Sequence, residues 1–246
     1  MELKELIEKR WESSADGYSQ SVQNELVTVG QIWHDYLFSH LTITPKMSIL
    51  DIGCGPGFLS ILLSGEDRCI IGVDGAEGMV REAQKNSEIY RANASFRKMD
   101  CHALDFPDAT FDLIISRNVV WTLYDPTKAY SEWTRVLKPK GSIVVFDAAW
   151  NKEFHDQSIM DKKNAARRSL GKKEMAQYLG EQGLCEELDQ RSVLGNEDRP
   201  AWDRVCLEKL GLDVKIDEKA YMTLWDEETK LINETTPLFM IQASKR

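Results

Sequence analysis

The feature that most constrains the fold is a regular alternation of short apolar segments with amphipathic segments between residues 48 and 150. The apolar segments are "SILDI", "CIIGVD", "ASFRKMD", "FDLIISR" and "GSIVVFDAAW". Short apolar runs separated by helical spacing predict β-α units with a parallel sheet. Near-continuous apolar runs fit parallel strands because helical crossovers cover both faces of such a sheet.

Two later apolar segments complete the predicted sheet. "LDVKID" (212–217) and "PLFMIQAS" (237–244) predict a sixth and a seventh strand. Residues 151–198, which precede them, are polar and mostly helical in pattern, with no obvious strand. The sequence therefore predicts an α/β fold with a Rossmann-like, mostly parallel seven-strand sheet, in which the last strand is antiparallel. A helical insertion is expected between strands five and six.

The chain is predicted to form a single domain over residues 1–246. We expect a helical N-terminal arm at 1–44, a core at 45–150, a helical lid or insertion at 151–198, and the end of the core sheet at 199–246. Within the arm, the spacing predicts helices over 2–10 and 21–40. In the helix predicted over 76–90, Met79, Val80, Ala83 and Ile89 are expected to face inward.

Composition and charge restrict the partners and the compartment. The net charge is −9, whereas nucleic-acid binders usually present a basic face to the phosphates, so a nucleic-acid partner is not expected. Five scattered cysteines without a C-x-x-C pair suit reduced thiols in the cytoplasm. The charged N-terminus and the absence of a long apolar run predict no signal peptide and no membrane segment. The four histidines show no ligand spacing, so we expect no metal.

A glycine-rich loop, "ILDIGCGPGF" (49–58), follows the first predicted strand. Glycine at every second position lets a backbone turn approach a ligand without Cβ clashes. A dinucleotide fingerprint fails because Phe58 stands where the third glycine is needed, and a phosphate loop would need a lysine that is absent. The remaining pattern, D-x-G-x-G-x-G, lies where α/β sheets bind ligands, at the carboxyl end of a strand.

Four segments in this order and spacing within residues 47–147 resemble the class I S-adenosylmethionine-dependent methyltransferases. They are "LDIGCGPG", "IIGVDGAEGM", "MDCHALDFPDATFDLIISRNVVWTL" and "VLKPKGSIVVF". The resemblance is greatest to the small-molecule branch that includes the ubiquinone-biosynthesis-type enzymes. It implies S-adenosylmethionine as cofactor and S-adenosylhomocysteine as product. Two departures are "DGAEGM", where Asp-x-Ser-x-x-Met is commoner, and Lys140, where glycine is usual.

The resemblance implies a role for each residue at the glycine loop and the second strand. The backbone of the loop should bind the methionine part of the cofactor, through Gly53, Cys54, Gly55 and Gly57. Asp51 should anchor the loop and face the amino group. Asp74 should accept hydrogen bonds from both ribose hydroxyls, since a carboxylate offers two acceptor oxygens. A helix N-cap is the alternative role for Asp74.

The same resemblance implies further cofactor contacts. Met79 should lie against the adenine, although its spacing fits a plain core position equally well. Asp100 should accept from the adenine amino group, with the backbone of Cys101 and His102 beside it, while Cys101 could also be a small buried hydrophobe. Arg117 and Asn118 should line the floor under the sulfonium.

The acceptor site is expected between the arm, the insertion and the strand ends. In the arm, Tyr18 is the first candidate for an aromatic that closes over the cofactor, with Trp11 second or serving as a packing anchor. Trp121 and Trp150 could form an aromatic wall that attracts a cationic centre, or could belong to the core. His155 is the best-placed proton acceptor in the insertion. The basic segment at 162–173 could attract an anionic acceptor or form a solvated helix face.

The sequence thus predicts transfer of a methyl group from S-adenosylmethionine to an N, O, S or C nucleophile of a small molecule. Because alignment of the nucleophile supplies much of the catalysis and a base is needed only for some acceptors, no catalytic residue is assigned. Two alternatives stay open. One is a non-catalytic S-adenosylmethionine-binding sensor or partner subunit, and the other is a protein or tRNA methyltransferase.

Overall fold

The computed structural model describes residues 1–65, 67–171 and 187–246, and a seven-stranded sheet forms its centre. The strands are β1 (Ser48–Ile52), β2 (Cys69–Asp74), β3 (Ala94–Lys98), β4 (Phe111–Arg117), β5 (Leu137–Asp147), β6 (Leu212–Asp217) and β7 (Phe239–Lys245). They pair in the order β3-β2-β1-β4-β5-β7-β6. β1 to β5 are parallel, and β7 runs antiparallel to both of its neighbours. The predicted fold class is confirmed.

Helices flank this sheet. They are α1 (Leu3–Thr28), α2 (Gly30–His40), α3 (Phe58–Leu62), α4 (Glu77–Ile89), α5 (Pro126–Val136), α6 (Gln157–Ser169), α7 (Ala201–Lys209), α8 (Ala220–Leu224) and α9 (Glu227–Ile232), with 3-10 turns at Val120–Thr122 and Lys152–Phe154. At the start of α5, the Asp125 carboxylate accepts a hydrogen bond from the backbone N–H of Lys128 (2.9 Å). In the described part of the chain, no helix is long and apolar enough to cross a membrane.

The strand order reverses between β1 and β4, and this reversal determines where a crevice opens at the edge of the sheet. From β1 the chain proceeds outward to β2 and β3, then returns to β4 on the other side of β1. Connections therefore leave the carboxyl ends of β1 and β4 in opposite directions, which opens a crevice at that edge. The strands on both sides are buried on both faces, with Leu50, Ile52, Ile114 and Ile115 fully enclosed.

The helices within the arm differ from the two that were predicted at 2–10 and 21–40. One helix, α1, runs through the polar segment 11–20 that was expected to separate two helices, and the break falls at Val29 instead. The reason is that polar residues lie on the buried side of α1. Ser14 and Ser19 are each 2% exposed, and Asn86 of α4 donates a hydrogen bond to the Ser19 hydroxyl (3.1 Å). Docking against α4 thus stabilises a helix that the apolar pattern alone does not show.

Smaller predictions were also corrected. Met79, Val80 and Ala83 are buried as predicted, but the inward prediction for Ile89 was wrong, because Ile89 ends α4 and is 64% exposed. Residues 218–236 contain α8 and α9, two short helices that the sequence pattern did not predict. Part of the insertion, including Cys185 and the end of the basic segment, falls on residues 172–186, outside the described residues.

A buried charge network joins β5, the loop after β4 and α7. The Arg199 guanidinium donates to Asp147 at the end of β5 (2.9 Å) and to both oxygens of Asp203 (2.8 and 2.9 Å). Asp147 also accepts from the backbone N–H of Trp121, and Tyr130 donates to Asp203 (2.7 Å). All three charged side chains are at most 1% exposed, so each depends on its partners to offset the cost of leaving water.

Replacement of Arg199 by leucine should strongly destabilise the protein. It would leave the carboxylates of Asp147 and Asp203 buried without a cation, which typically costs about 3–5 kcal/mol. Urea unfolding measures the loss. Arg204→Leu is the matched control, because Arg204 pairs with Glu208 within α7, the helix that contains Asp203, and both side chains are exposed (41% and 51%). Its effect should be much smaller. Equal losses for the two variants would contradict the structural role of the network.

Candidate functional site

One cavity lies where the carboxyl ends of β1, β2 and β4 and the loop after β3 come together. The residues that line it from the sheet side lie at or just after strand ends or in α4. They are Gly53 and Gly55 after β1; Asp74, Gly75 and Ala76 at β2; Met79 of α4; Met99, Asp100, Cys101 and His102 after β3; and Arg117, Asn118, Val119, Thr122, Leu123 and Tyr124 at and after β4. Residues of α1 complete the wall: Lys4, Ile7, Glu8, Trp11 and Tyr18. The carboxyl-end crevice predicted from the sequence is therefore covered by the arm.

The glycine loop turns tightly against two neighbouring segments. Gly53 has φ +62°, and a Cβ at this position would collide with the methyl groups of Val119. Gly55 has φ +50° and lies close to the Tyr18 ring, which is 3.5 Å from where a Cβ would be. Gly53 therefore requires glycine for conformation and for space, and Gly55 for its conformation. A smaller recess adjoins the cavity here and shares Tyr18, Gly53, Gly55 and Arg117 with it.

Asp51 and Asp74 hold the two ends of this loop. Asp51, at 2% exposure, accepts hydrogen bonds from the backbone N–H (3.0 Å) and the hydroxyl (2.7 Å) of Ser60. Asp74 is partly buried and accepts from the backbone N–H groups of Gly55 (3.0 Å) and Ala76 (2.9 Å). Burial raises the pKa of each carboxyl to about 6. Asp74 lies on the cavity wall, and Asp51 lies on the wall of the recess.

Asp100 accepts four hydrogen bonds. One oxygen accepts from the backbone N–H (2.9 Å) and ring Nδ1 (2.7 Å) of His102, and the other from Lys4 Nζ (2.7 Å) and the Tyr124 hydroxyl (2.9 Å). Burial alone would raise the pKa of Asp100, but these donors outweigh it and hold the pKa well below its usual range. A carboxylate has about four lone-pair sites, so all of them are used.

His102 is oriented by this carboxylate. Its ring stacks on Tyr124 with centroids 3.7 Å apart, and burial lowers its pKa. Its Nε2 is buried and has no partner among the described residues. The ligand atoms of Asp100, Cys101 and His102 lie within 4.8 Å of one another, close enough for a metal ion. Asp100 and His102 already bond to each other, and the expectation of no metal stays a prediction.

Met79 and Cys101 lie on the cavity wall where the adenine was expected. Met79 is 1% exposed and packs with Ala15 of α1 and Ala76. The Cys101 carbonyl accepts a hydrogen bond from the Trp133 indole (3.1 Å), so part of its backbone is already engaged. Both residues therefore combine a packing contact with a position on the wall. Cys54, Cys69, Cys101 and Cys206 are free thiols.

Arg117 and Asn118 extend from the end of β4. The Arg117 guanidinium donates to Glu25 of α1 (2.7 Å) and lies over the Phe58 ring, 3.9 Å from its centroid. Asn118 has φ +59° and accepts hydrogen bonds from the indoles of Trp121, at its carbonyl (2.9 Å), and Trp150, at its side-chain oxygen (3.1 Å). Both residues line the cavity.

α1 presents two aromatic residues and several charged ones to the site. Tyr18 and Trp11 line the cavity with ring centroids 5.9 Å apart. Glu12 accepts from the backbone N–H of Gly78 at the start of α4 (2.6 Å). Sequence analysis did not assign Lys4, Ile7, Glu8, Glu12 and Glu25 to the site. Lys4, Ile7, Glu8 and Trp11 share one helix face by their spacing, which was the available signal.

Four residues predicted for the site lie away from the cavity wall. Gly57 caps the start of α3, where a Cβ would meet Ala83 and Phe96. Trp121 packs edge-on against Trp11 (6.2 Å), and Trp150 packs against Trp225 (5.8 Å).

The fourth is His155. Its ring Nε2 lies 3.0 Å from the carbonyl of Asp189 within the insertion. Cys54 is a different case, because it lines the recess rather than the main cavity. Of the four predicted acceptor residues, Trp121 and Trp150 therefore contact the wall residue Asn118 from behind, and His155 lies in the insertion.

Comparison with known proteins places the chain in context. Residues 43–227 match the model of a family described as a methyltransferase domain. A demethylmenaquinone methyltransferase from Desulfitobacterium hafniense is 34% identical over 138 residues, covering 52% of this chain and 53% of the relative. A phosphoethanolamine N-methyltransferase from Arabidopsis thaliana is 28% identical over 108 residues, covering 44% and 22%. The chain thus spans about half or less of the length of these relatives.

Solved structures share the fold. The geranyl diphosphate C-methyltransferase of Streptomyces coelicolor, solved with Mg²⁺, geranyl diphosphate and S-adenosylhomocysteine, aligns with a TM-score of 0.65 at 14% identity, over 100% of this chain and 99% of that one. A putative S-adenosylmethionine-dependent methyltransferase from Methanococcus maripaludis aligns with a TM-score of 0.60 at 24% identity, over 94% and 91%. At these identities the likeness concerns the fold.

The raised pKa of Asp51 predicts a pH-dependent stability. The folded protein binds this proton more tightly than the unfolded chain, so stability is lost as pH rises through about 6. Relative to Asp51→Asn, the wild-type protein should therefore gain free energy of unfolding when pH falls from 8 to 5. The gain should not exceed about 3 kcal/mol.

Urea unfolding of both proteins across this pH range measures the gain. Asp105→Asn, which removes an exposed carboxyl, controls for the substitution. A wild-type advantage that instead increases with pH would contradict a carboxyl destabilised by burial.

Proposed function

Because the chain belongs to the methyltransferase domain family, we propose that it transfers a methyl group from S-adenosylmethionine to a small-molecule acceptor. The predicted family is confirmed, since its model matches residues 43–227 of the 246. S-adenosylmethionine as cofactor follows from this membership. The observation that supports methyl transfer at this site is the meeting of the glycine loop, Asp74 and Asp100 on one cavity at the carboxyl edge of the sheet.

The residues at the cavity fit this cofactor. One oxygen of Asp74 accepts a hydrogen bond from the backbone N–H of Gly55 and the other from that of Ala76. Each oxygen retains a further lone pair for a ribose hydroxyl. Gly53 and Gly55 line the cavity, so a ligand chain can approach their backbone. Met79 and Val73 provide apolar surface for a base. When bound, the cofactor supplies a methyl group on a sulfonium, which a nucleophile displaces.

The contribution of the chain to this reaction is enclosure and alignment. α1 lies across the cavity, with Lys4, Trp11 and Tyr18 on its inner face. A covered site excludes water and holds the nucleophile in line, and such positioning is worth about 7–11 kcal/mol in favourable cases. A proton acceptor is needed only where the acceptor atom must first lose a proton.

Several observations favour a small acceptor. A cavity covered by a helix admits a molecule that fits beneath it more readily than the surface of a folded macromolecule. The net charge of −9 disfavours nucleic acid. The names of the two relatives, phosphoethanolamine and demethylmenaquinone methyltransferases, also denote small acceptors. The aromatic pair Trp11 and Tyr18 suits an apolar or cationic acceptor group.

The function is tested with the full chain, labelled S-adenosylmethionine and a metabolite extract. We expect S-adenosylhomocysteine to bind in calorimetry and label to appear in a small-molecule fraction. Asp74→Ala should weaken binding by about 1–3 kcal/mol because it leaves ribose hydroxyls without their acceptor. The exposed Asp105→Ala should not change binding. Binding without transfer would support the sensor alternative, and label on protein or tRNA would support the macromolecular one.

The saturated carboxylate of Asp100 leads to a second prediction for this site. An adenine amino group that bonds to Asp100 has to displace one of its four donors. Lys4 is the least constrained of these, because its side chain is 44% exposed and belongs to the arm. Removing it in Lys4→Met should therefore raise the affinity for S-adenosylhomocysteine about two- to five-fold, the range of an exposed ion pair.

Calorimetry at low and high salt measures this effect. The difference between wild type and Lys4→Met should shrink at high salt, because screening weakens the exposed pair. Lys9→Met is the matched control, since Lys9 is exposed on the same helix. A lower affinity of Lys4→Met would show instead that Lys4 helps to bind the cofactor.

A further inference from the structure

The recess beside the glycine loop contains two buried groups of opposite charge. Asp51 lies in β1 and Arg117 at the end of β4, the strand that pairs with β1. The recess is closed on its other sides by the loop itself and by Tyr18 and Phe58. Both charges therefore face one small volume that is continuous with the main cavity through Gly53 and Gly55.

Both groups have unused hydrogen-bonding capacity. One oxygen of Asp51 accepts both bonds from Ser60, and no donor reaches the other among the residues the structure describes. A guanidinium carries five N–H donors. In the described ranges, Glu25 is the one residue that accepts from Arg117, at a single terminal nitrogen. The two charges lie near each other but form no ion pair within that part of the chain, so each can take a separate ligand group.

The surroundings of Arg117 fix its position and its charge. Its guanidinium lies over the rings of Phe58 and Trp33, 3.9 and 5.2 Å from their centroids, and its side chain is 10% exposed. Burial alone would lower its pKa, but the nearby carboxylate of Glu25 outweighs this and raises it. A buried guanidinium with spare donors is stabilised by an anion, for which it offers paired N–H groups.

A sulfonium is a poor neighbour for this group. Two cations close together in a site of low dielectric repel each other. The role implied by the sequence, lining the floor under the sulfonium, is therefore less favourable for Arg117 than contact with a carboxylate. An α-amino acid group carries both an ammonium and a carboxylate. The ammonium is complementary in charge to Asp51, and the carboxylate is complementary to Arg117.

We propose that Arg117 recognises the α-carboxylate of the methionine tail of the methyl donor, while Asp51 faces its α-ammonium. This inference rests on the proposed function and adds the residue that selects a donor with an intact amino-acid tail. It assigns Arg117 a binding role at the tail and none at the transferred methyl group. The affinity of ligands that keep the nucleoside but lack the tail carboxylate should not depend on Arg117.

The test compares two ligands in calorimetry: S-adenosylhomocysteine, which carries the tail, and 5′-methylthioadenosine, which lacks it. Arg117→Met should weaken the affinity for S-adenosylhomocysteine at least ten-fold and change the affinity for 5′-methylthioadenosine less than two-fold. Arg117→Lys, which keeps the charge, should restore part of the loss. Arg97→Met is the matched control, because Arg97 also lies over a phenylalanine ring, that of Phe106, but on the surface. Arg97→Met should change the affinity for neither ligand.

The second ligand keeps the outcomes distinct. Retained binding of 5′-methylthioadenosine shows that Arg117→Met is folded. If Arg117→Met weakened the affinity for both ligands equally, or weakened neither affinity, the role of Arg117 at the carboxylate would be overturned. If the wild-type protein bound neither ligand, the proposed function would fail and this inference with it.

Discussion

The parallel pairing of β1 with both β2 and β4 is the constraint on which the rest of the site depends. In this register Asp51 lies beside Gly72 on one side and Ile115 on the other. Three strands therefore end at the same edge of the sheet. The glycine loop, Asp74 and Arg117 follow from those ends within a few residues, and each is brought to the cavity by backbone hydrogen bonds rather than by contacts between their own side chains.

The arm converts this open edge into a covered site. Lys4 bonds to Asp100, Glu12 to the N–H of Gly78, and Glu25 to Arg117. Each contact joins α1 to a different strand end or helix start, so the arm spans the whole crevice. Lys4 and Glu12 have partly exposed side chains (44% and 42%), so their contacts are individually weak and can yield to a ligand, whereas Arg117 is buried.

The sequence predicted the sheet well because its signals are local. Apolar runs bounded by turn residues recur along the chain, and they predicted all seven strands. The arm was predicted less well. Ser14 and Ser19 carry no apolar signal, yet docking against α4 buries them. Ile89 fits the inward spacing but lies at the last position of α4, beyond the helix face that packs.

Within the site, the sequence by itself determined which groups follow the strand ends, including Asp51, Asp74, Asp100 and Arg117. Tertiary structure alone decided what those groups face. Lys4 and Glu25 are 96 and 92 residues distant in sequence from Asp100 and Arg117. Tertiary structure likewise placed Trp150 behind the wall residue Asn118, and His155 against the carbonyl of Asp189. The physical reason is that strand pairing fixes positions through local pattern, whereas long-range side-chain contacts depend on packing that no spacing records.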